Sequence, residues 1–400
     1  MQTLLQNSLK DAFADDWRNG GFGLYIHWPF CEAKCPYCDF NSHVAREIDQ
    51  SRWKRAYLKE IAAAGRAYPD RVLNTVFFGG GTPSLMDPDV TASVIDAVKA
   101  TWPVANDLEI TLEANPSSVE AGRFRAYAEA GVNRISMGIQ ALNDPDLRRL
   151  GRVHTAQEAI QAFDIARENF ARVSFDLIYA RQGQSLSDWR KELSQALSMA
   201  VDHLSLYQLT IEPGTVFARR HANGKLRDLP DDELAGDMYD VTQEVCDAHG
   251  MSAYEVSNHA QNGAESRHNL IYWRYGDYVG IGPGAHGRVT ENSARFATEA
   301  VSNPDRWLKM SEQGSPLKVK TELDREAQAD EYLMMSLRLA EGLSISRHEA
   351  LSGKVLSASA LDYLNDINMI EIDGDRLRTT REGRLVLNAV IQELLNEQQA

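Results

Sequence analysis

The sequence predicts an α/β architecture: a parallel (β/α) barrel, partial or complete, over roughly residues 22–290, then a small α+β, winged-helix-like domain over 291–400. Three observations predict it. Six short apolar runs alternate with amphipathic stretches at a spacing of about 30 residues, the length of a βα unit. With 43% hydrophobic and 25% charged residues, the 400-residue chain can bury a sizeable core, yet it is longer than one core usually fills. From about Glu326 onward the pattern changes to short helices and one hairpin.

The elements follow in order. MQTLLQNSLKDAFADDWRNGG is acidic and interrupted, with no basic segment leading into an apolar one, so residues 1–21 read as a tail and not as a secretory signal. The strands are GLYIHW, TVFFGG, LEITLEANP, RISMGIQA, VSFDLIYA and HLSLYQLT. Between them SRWKRAYLKEIAAAGRA, VEAGRFRAYAEAG, TAQEAIQAFDIAREN and SLSDWRKELSQALSMA repeat apolar residues three and four apart, as sheet-covering helices do. Periodicity does not fix closure, so an open doubly wound sheet is the other arrangement. In the C-terminal domain, DEYLMMSLRLAEGLSI opens a set of two or three helices, and a hairpin is expected around Asp373, Gly374 and Asp375.

Charge narrows the functions. With 57 acidic and 42 basic residues the net charge is -15, which opposes attraction to nucleic acid or anionic lipid. The C-terminal domain has 13 acidic against 7 basic residues from Glu326 onward, so a lid or protein-docking role is expected there, with Arg376, Arg378, Arg381 and Arg384 as a solvated face. No apolar run is long enough for a membrane span, and the cytoplasm is the expected location.

Three of the four cysteines, Cys31, Cys35 and Cys38, fall within CEAKCPYCDF, while Cys246 sits on an amphipathic segment as a core thiol. Three soft thiolates on one tight loop suit zinc or an iron-sulfur cluster. For zinc, His27 or His43 would complete a Cys3His set. On a four-iron cluster, three cysteines leave one iron open to another ligand.

The spacing C-x3-C-x2-C, with Tyr37 just before the last cysteine and the strand LYIHWPF just before the loop, resembles the cluster loop of the radical S-adenosylmethionine (SAM) superfamily. That resemblance implies a TIM-like radical-SAM barrel, partial or complete, and a [4Fe-4S] cluster on Cys31, Cys35 and Cys38. It also implies SAM chelated at the open iron and an electron donor to the cluster, the cofactors carrying the difficult chemistry. In such barrels polar residues at the C-terminal ends of strands line the site. GGGTP (Gly79, Gly80, Gly81, Thr82) closes the second strand, Glu113 the third and Gln140 the fourth, and Asp176 lies in the fifth. By the resemblance, Tyr25, Tyr37, Gly80, Gly81, Thr82, Glu113, Gln140, Arg152 and Asp176 are SAM contacts. Plainer roles exist for each alone: Glu113 as a capping partner, Asp176 as a floor hydrogen bonder, Arg152 as a surface ion pair.

The order LYIHWPFC, CPYCDFNSH, FFGGGTPS, LEANP, RISMGIQ, GRVHT, DLIYA is similar to the oxygen-independent coproporphyrinogen III oxidase group, from about Tyr25 to Gly287. The decarboxylases of that group carry a further cysteine two positions beyond the third; here Phe40 stands in its place. The group's heme-chaperone subfamily has a loop ending CDFNSH and an H-N-x-x-Y-W motif, matched by HNLIYW at 268–273. The resemblance therefore implies heme bound through His268, Tyr272 and Trp273, with His286 a second candidate axial ligand. As a plainer role, His268 would be a buried structural histidine. Delivery of heme to acceptor proteins is the expected function, and a homodimer meeting at the cluster face a further expectation. The alternatives are a decarboxylase acting on coproporphyrinogen III and a zinc-stapled winged-helix DNA binder.

Overall fold

The computed structural model describes residues 15–396. All six expected strands form: β1 (Phe22–Trp28), β2 (Leu73–Gly80), β3 (Val104–Ala114), β4 (Arg134–Gln140), β5 (Arg172–Tyr179) and β6 (His203–Gln208). They lie parallel and side by side in chain order. β7 (Asn258–Ala260) runs antiparallel beside β6, and β8 (Asp277–Ile281) runs parallel beside β1. The sheet then continues through β9 (His286–Glu291), β10 (Ala294–Ala300) and β11 (Leu317–Leu323), each antiparallel to the strand before it. The barrel is therefore partial. To close, β6 would have to reach the free edge of β1, and β8 already occupies it, pairing Phe22 with Asp277 through Ile26 with Ile281.

This sheet relocates the expected division of the chain. A boundary at 290/291 falls inside β9; the main sheet runs on to Leu323, and a separate core of Ala329, Tyr332, Leu333, Leu351, Leu364, Leu377 and Val390 lies after it, joined by Tyr275 from before β8. Around that core, helices surround a three-stranded antiparallel sheet of Leu343–Ser344, Ile370–Asp373 and Arg376–Thr379. The expected hairpin forms, turning through Gly374 at φ +58° with Asp373 opposite Arg376.

Two features hold the cluster loop. Helix α1 (Gln50–Ala67) starts at Asp49, whose carboxylate accepts from Arg52 N, and its spacing points Trp53, Tyr57 and Ile61 inward. Trp53 stacks on Trp307 (5.4 Å, 3°) and meets Trp28 and Phe30 edge-on, so aromatic packing supports the chain directly before Cys31. Trp307 comes from a helix, Pro304–Gln313, that follows β10. No described helix is long and apolar enough to cross a membrane.

Candidate functional site

Cys31, Cys35 and Cys38 are free, partly buried thiols on the loop after β1. Burial, with the neighbouring thiols adding to it, raises the pKa of Cys31 and Cys38. Thr82 Oγ1 opposes this at Cys31, donating to its Sγ at 3.4 Å, and Arg152 Nη1 donates to Cys35 Sγ, also at 3.4 Å. Asn115 joins the two, donating from Nδ2 to Thr82 Oγ1 (3.1 Å) while its Oδ1 accepts from Arg152 Nη2 (2.7 Å). Arg152 is thus an inner residue of the site and not a surface ion pair.

The Cys3His expectation fails at His27. Its ring nitrogens are hydrogen-bonded to Tyr25 Oη (3.1 Å) and to the Asn41 carbonyl (3.0 Å), and His43 is exposed beside Asn41. Among the described residues no three His, Cys, Asp or Glu side chains gather closely enough about one point for a single metal ion.

The backbone is tightly packed at the strand ends. Gly80 has φ +114°, and a Cβ there would lie 2.6 Å from His27 Cε1; one at Gly81 would lie 2.6 Å from the Phe30 carbonyl oxygen. Gly80 N donates to Glu113 Oε2 (3.2 Å). Burial, then the charge of Asp176, pushes Glu113 up to about 8; burial raises Asp176 to about 6 against the pull of Ser205, Arg134 and Ser136. Gln140 takes φ +73° at a register slip in β4, and a Cβ on Gly138 would lie 3.0 Å from its Nε2 and 3.5 Å from Arg152 Nη2. Tyr25 and Tyr37 are both held protonated chiefly by burial, and Tyr37 packs against Phe217.

Below these residues the barrel encloses a cavity of about 210 Å3, walled by Tyr25, Phe77, Glu113, Asp176 and Tyr207. Helix α2 (Arg267–Trp273), capped by Ser266, lies across its floor and divides the HNLIYW motif. His268 and Tyr272 face the cavity as their i, i+4 spacing predicts, hydrogen-bonded to each other at 2.6 Å. The other nitrogen of His268, Nδ1, is bonded to Thr75 Oγ1 at 2.6 Å, and the ring stacks on Phe77 (5.0 Å, 23°). His268 is 1% exposed, and burial, then the charge of Arg134, lowers its pKa to about 3. The imidazole is neutral, and both of its ring nitrogens have partners. Trp273 turns elsewhere, its ring 5.8 Å from the Arg338 guanidinium. His286, by contrast, is exposed at the start of β9.

Residues 25–196 match the Radical SAM superfamily and residues 323–386 the HemN C-terminal domain. Heme chaperone HemW of Escherichia coli K12 is 37% identical across 94% of this chain and 98% of its own length; that of Bacillus subtilis is 34% identical across 93% and 99%. This chain belongs to the HemW family of radical SAM proteins. The bovine mitochondrial radical S-adenosyl methionine domain-containing protein 1 matches it as well, at 37% identity over 94% of this chain and 88% of the relative. Among solved structures, coproporphyrinogen III oxidase (HemN) from Escherichia coli shares the fold, with a TM-score of 0.78 over 96% of this chain and 93% of that one at 21% identity. The HemN C-terminal domain match starts at residue 323, where β11 and the main sheet end.

Sequence reasoning passed over Asn115, although it stands inside LEANP, and over Arg134, His203 and Tyr207 on the cavity wall. Asn115→Ala should remove two hydrogen bonds from a partly buried guanidinium and hydroxyl. A loss of about 1–3 kcal/mol in the urea unfolding free energy is expected. Glu113 makes the fold pH-dependent. Its folded pKa of about 8 exceeds its ordinary 4.5, so the folded state holds the proton more tightly and stability falls as pH rises between those values. Cofactor-free protein should lose unfolding free energy across that window, and Glu113→Gln should flatten the loss; identical profiles would reject this role for Glu113.

Proposed function

We propose that this chain is a heme chaperone, which binds heme and passes it to acceptor proteins while carrying a [4Fe-4S] cluster and SAM at the cluster face of its barrel. The end-to-end match to proteins named heme chaperone HemW carries the reading. Phe40, standing where the decarboxylases have a further cysteine, supports it.

The residues fit the two cofactors. Cys31, Cys35 and Cys38 would hold the cluster, with Thr82 and Arg152 already donating to their sulfurs. Tyr25, Tyr37, Gly80, Gly81, Thr82, Glu113, Gln140, Arg152 and Asp176 would meet SAM. The buried Nε of Arg152 has no partner of its own, and the glycines admit close backbone approach. When bound, the pair would supply one-electron chemistry at the open iron. The chain's part is to orient the ligand with carboxyls and a guanidinium and to shield it within the barrel.

Heme fits less simply. His268, Tyr272 and Trp273 are proposed contacts, but a cavity of about 210 Å3 lies below the roughly 300–1,000 Å3 of drug-sized ligand sites. His268 lines that cavity with both ring nitrogens hydrogen-bonded, whereas His286 is exposed. Phe40 and Val44, 59% and 57% exposed beside the cluster loop, support a homodimer meeting at that face. Acceptor proteins, an electron donor and a cytoplasmic setting complete the reading.

An anaerobic hemin titration of reconstituted protein, beside His268→Ala and His286→Ala, tests it through the Soret band. A saturable shift in the parent, weakened in one variant, is expected. Binding no better than an unrelated control protein, or CO2 release from coproporphyrinogen III, would overturn the proposal.

A further inference from the structure

Arg134 opens β4 at the lower end of the barrel and is 2% exposed. Its guanidinium donates to the Ser174 hydroxyl (3.1 Å) and the Ser266 hydroxyl (3.4 Å), both neutral, and among the described residues no carboxylate lies within ion-pair distance of it. Its neighbour Arg172 shows the usual arrangement, paired with Glu109 (3.1 Å) and Asp202 (3.0 Å). A buried charge without a counter-ion is costly, and such a group is normally paired or serves a ligand.

The cavity wall around Arg134 strengthens the second alternative. His203, 1% exposed, lines the same space with a buried Nδ1 that has no partner, its Nε2 being bonded to Tyr254 Oη. Ser136, Ser205 and Asn269 add short polar side chains. Burial and the charge of Arg134 keep both His203 and His268 neutral, leaving Arg134 as the cation of this wall. Glu113 and Asp176 belong to the same cavity, so it is polarised, with acids in one part and a cation in another. Tyr207, 41% exposed on the wall, marks its open side.

We infer that Arg134 is an anion subsite of the barrel, receiving the carboxylate of a short ligand, or the carboxylate arm of a larger one, that enters past Tyr207. The volume suits a group of propionate size. The guanidinium offers charged donors, while Ser136 and Ser205 line the same cavity with their hydroxyls hydrogen-bonded to Asp176. This assignment goes beyond heme binding and does not require it, since it concerns a carboxylate and a cavity too small for a porphyrin ring.

The test is thermal unfolding of the reconstituted full-length protein with sodium propionate or with propionamide, its neutral counterpart of equal size, at matched ionic strength. Propionate should raise the midpoint saturably and propionamide should not. Arg134→Gln should weaken the apparent propionate affinity roughly tenfold or more, as expected on losing a charged donor. If Arg134→Gln does not fold, Ser136→Val keeps the guanidinium but narrows the cavity that both residues line, and should also lose the shift. Equal shifts from propionate and propionamide in the parent protein, or full propionate affinity in a folded Arg134→Gln, would overturn the assignment. Competition by hemin but not by its dimethyl ester would mark a porphyrin carboxylate arm as the source. Competition by neither would mark a free small carboxylate. Because the propionate arm contains no heme, its failure is distinguishable from failure of the chaperone reading.

Discussion

Cys35→Ser should leave the anaerobically reconstituted protein colourless, with iron falling to the background of an unreconstituted sample. A serine hydroxyl is a hard ligand that stays protonated near neutral pH, so two soft thiolates would remain where a cluster needs three. The substitution also removes the sulfur that accepts from Arg152, leaving that buried guanidinium with Asn115 and the Gly138 carbonyl alone. Cys246→Ser is the control. That thiol is fully buried on a distant helix, with its pKa pushed up to about 12 by burial, so its replacement should preserve iron and colour. Iron and absorption retained by Cys35→Ser would reject the three-cysteine assignment.

Trp307→Ala should cost about 3–5 kcal/mol, the range for emptying a fully buried aromatic site. Trp307 stacks on Trp53, lies 5.5 Å from Tyr57, and through Trp53 supports Trp28 and Phe30. Tyr57 in turn donates to the His27 carbonyl oxygen (2.7 Å), so the cavity would open under the strand that presents the cluster loop. Reconstituted Trp307→Ala is therefore expected to release iron faster to a chelator than the parent protein does. Urea unfolding within about 1 kcal/mol of the parent would show that the stack contributes little.

What could be read from the chain was what neighbouring residues dictate. The six parallel strands are apolar runs bounded by polar turns, and the cysteines, GGGTP and Glu113 sit where a strand end must place them. Closure was not legible, because it depends on which strand takes the second edge of β1, and DYVGI at 277–281 is a short run far along the chain. The β9–β10 hairpin turns through Asn292 and Ser293, which both adopt positive φ, the geometry of a two-residue turn. The same limit holds at the site. Spacing paired His268 with Tyr272, but nothing local indicates that Thr75 on β2 would occupy the second ring nitrogen. Arg134 looks like an ordinary charged strand opener until Ser174, Ser266 and His203 are assembled around it. Asn115 is one letter of a motif whose glutamate drew the attention.

The strand that presents the cluster loop has one partner close to it along the chain and one far from it. β1 lies between β2, made soon after it, and β8, which reaches it only once residues 277–281 exist. During synthesis the first strand therefore waits with one hydrogen-bonding edge bare while most of the polypeptide is added, and pairing so distant in sequence is slow to form. Three unprotected thiols wait beside that edge. For this chain the vulnerable interval is nascent life, when an exposed strand edge and oxidisable sulfurs coincide, and it ends when a late segment completes the sheet around an early one.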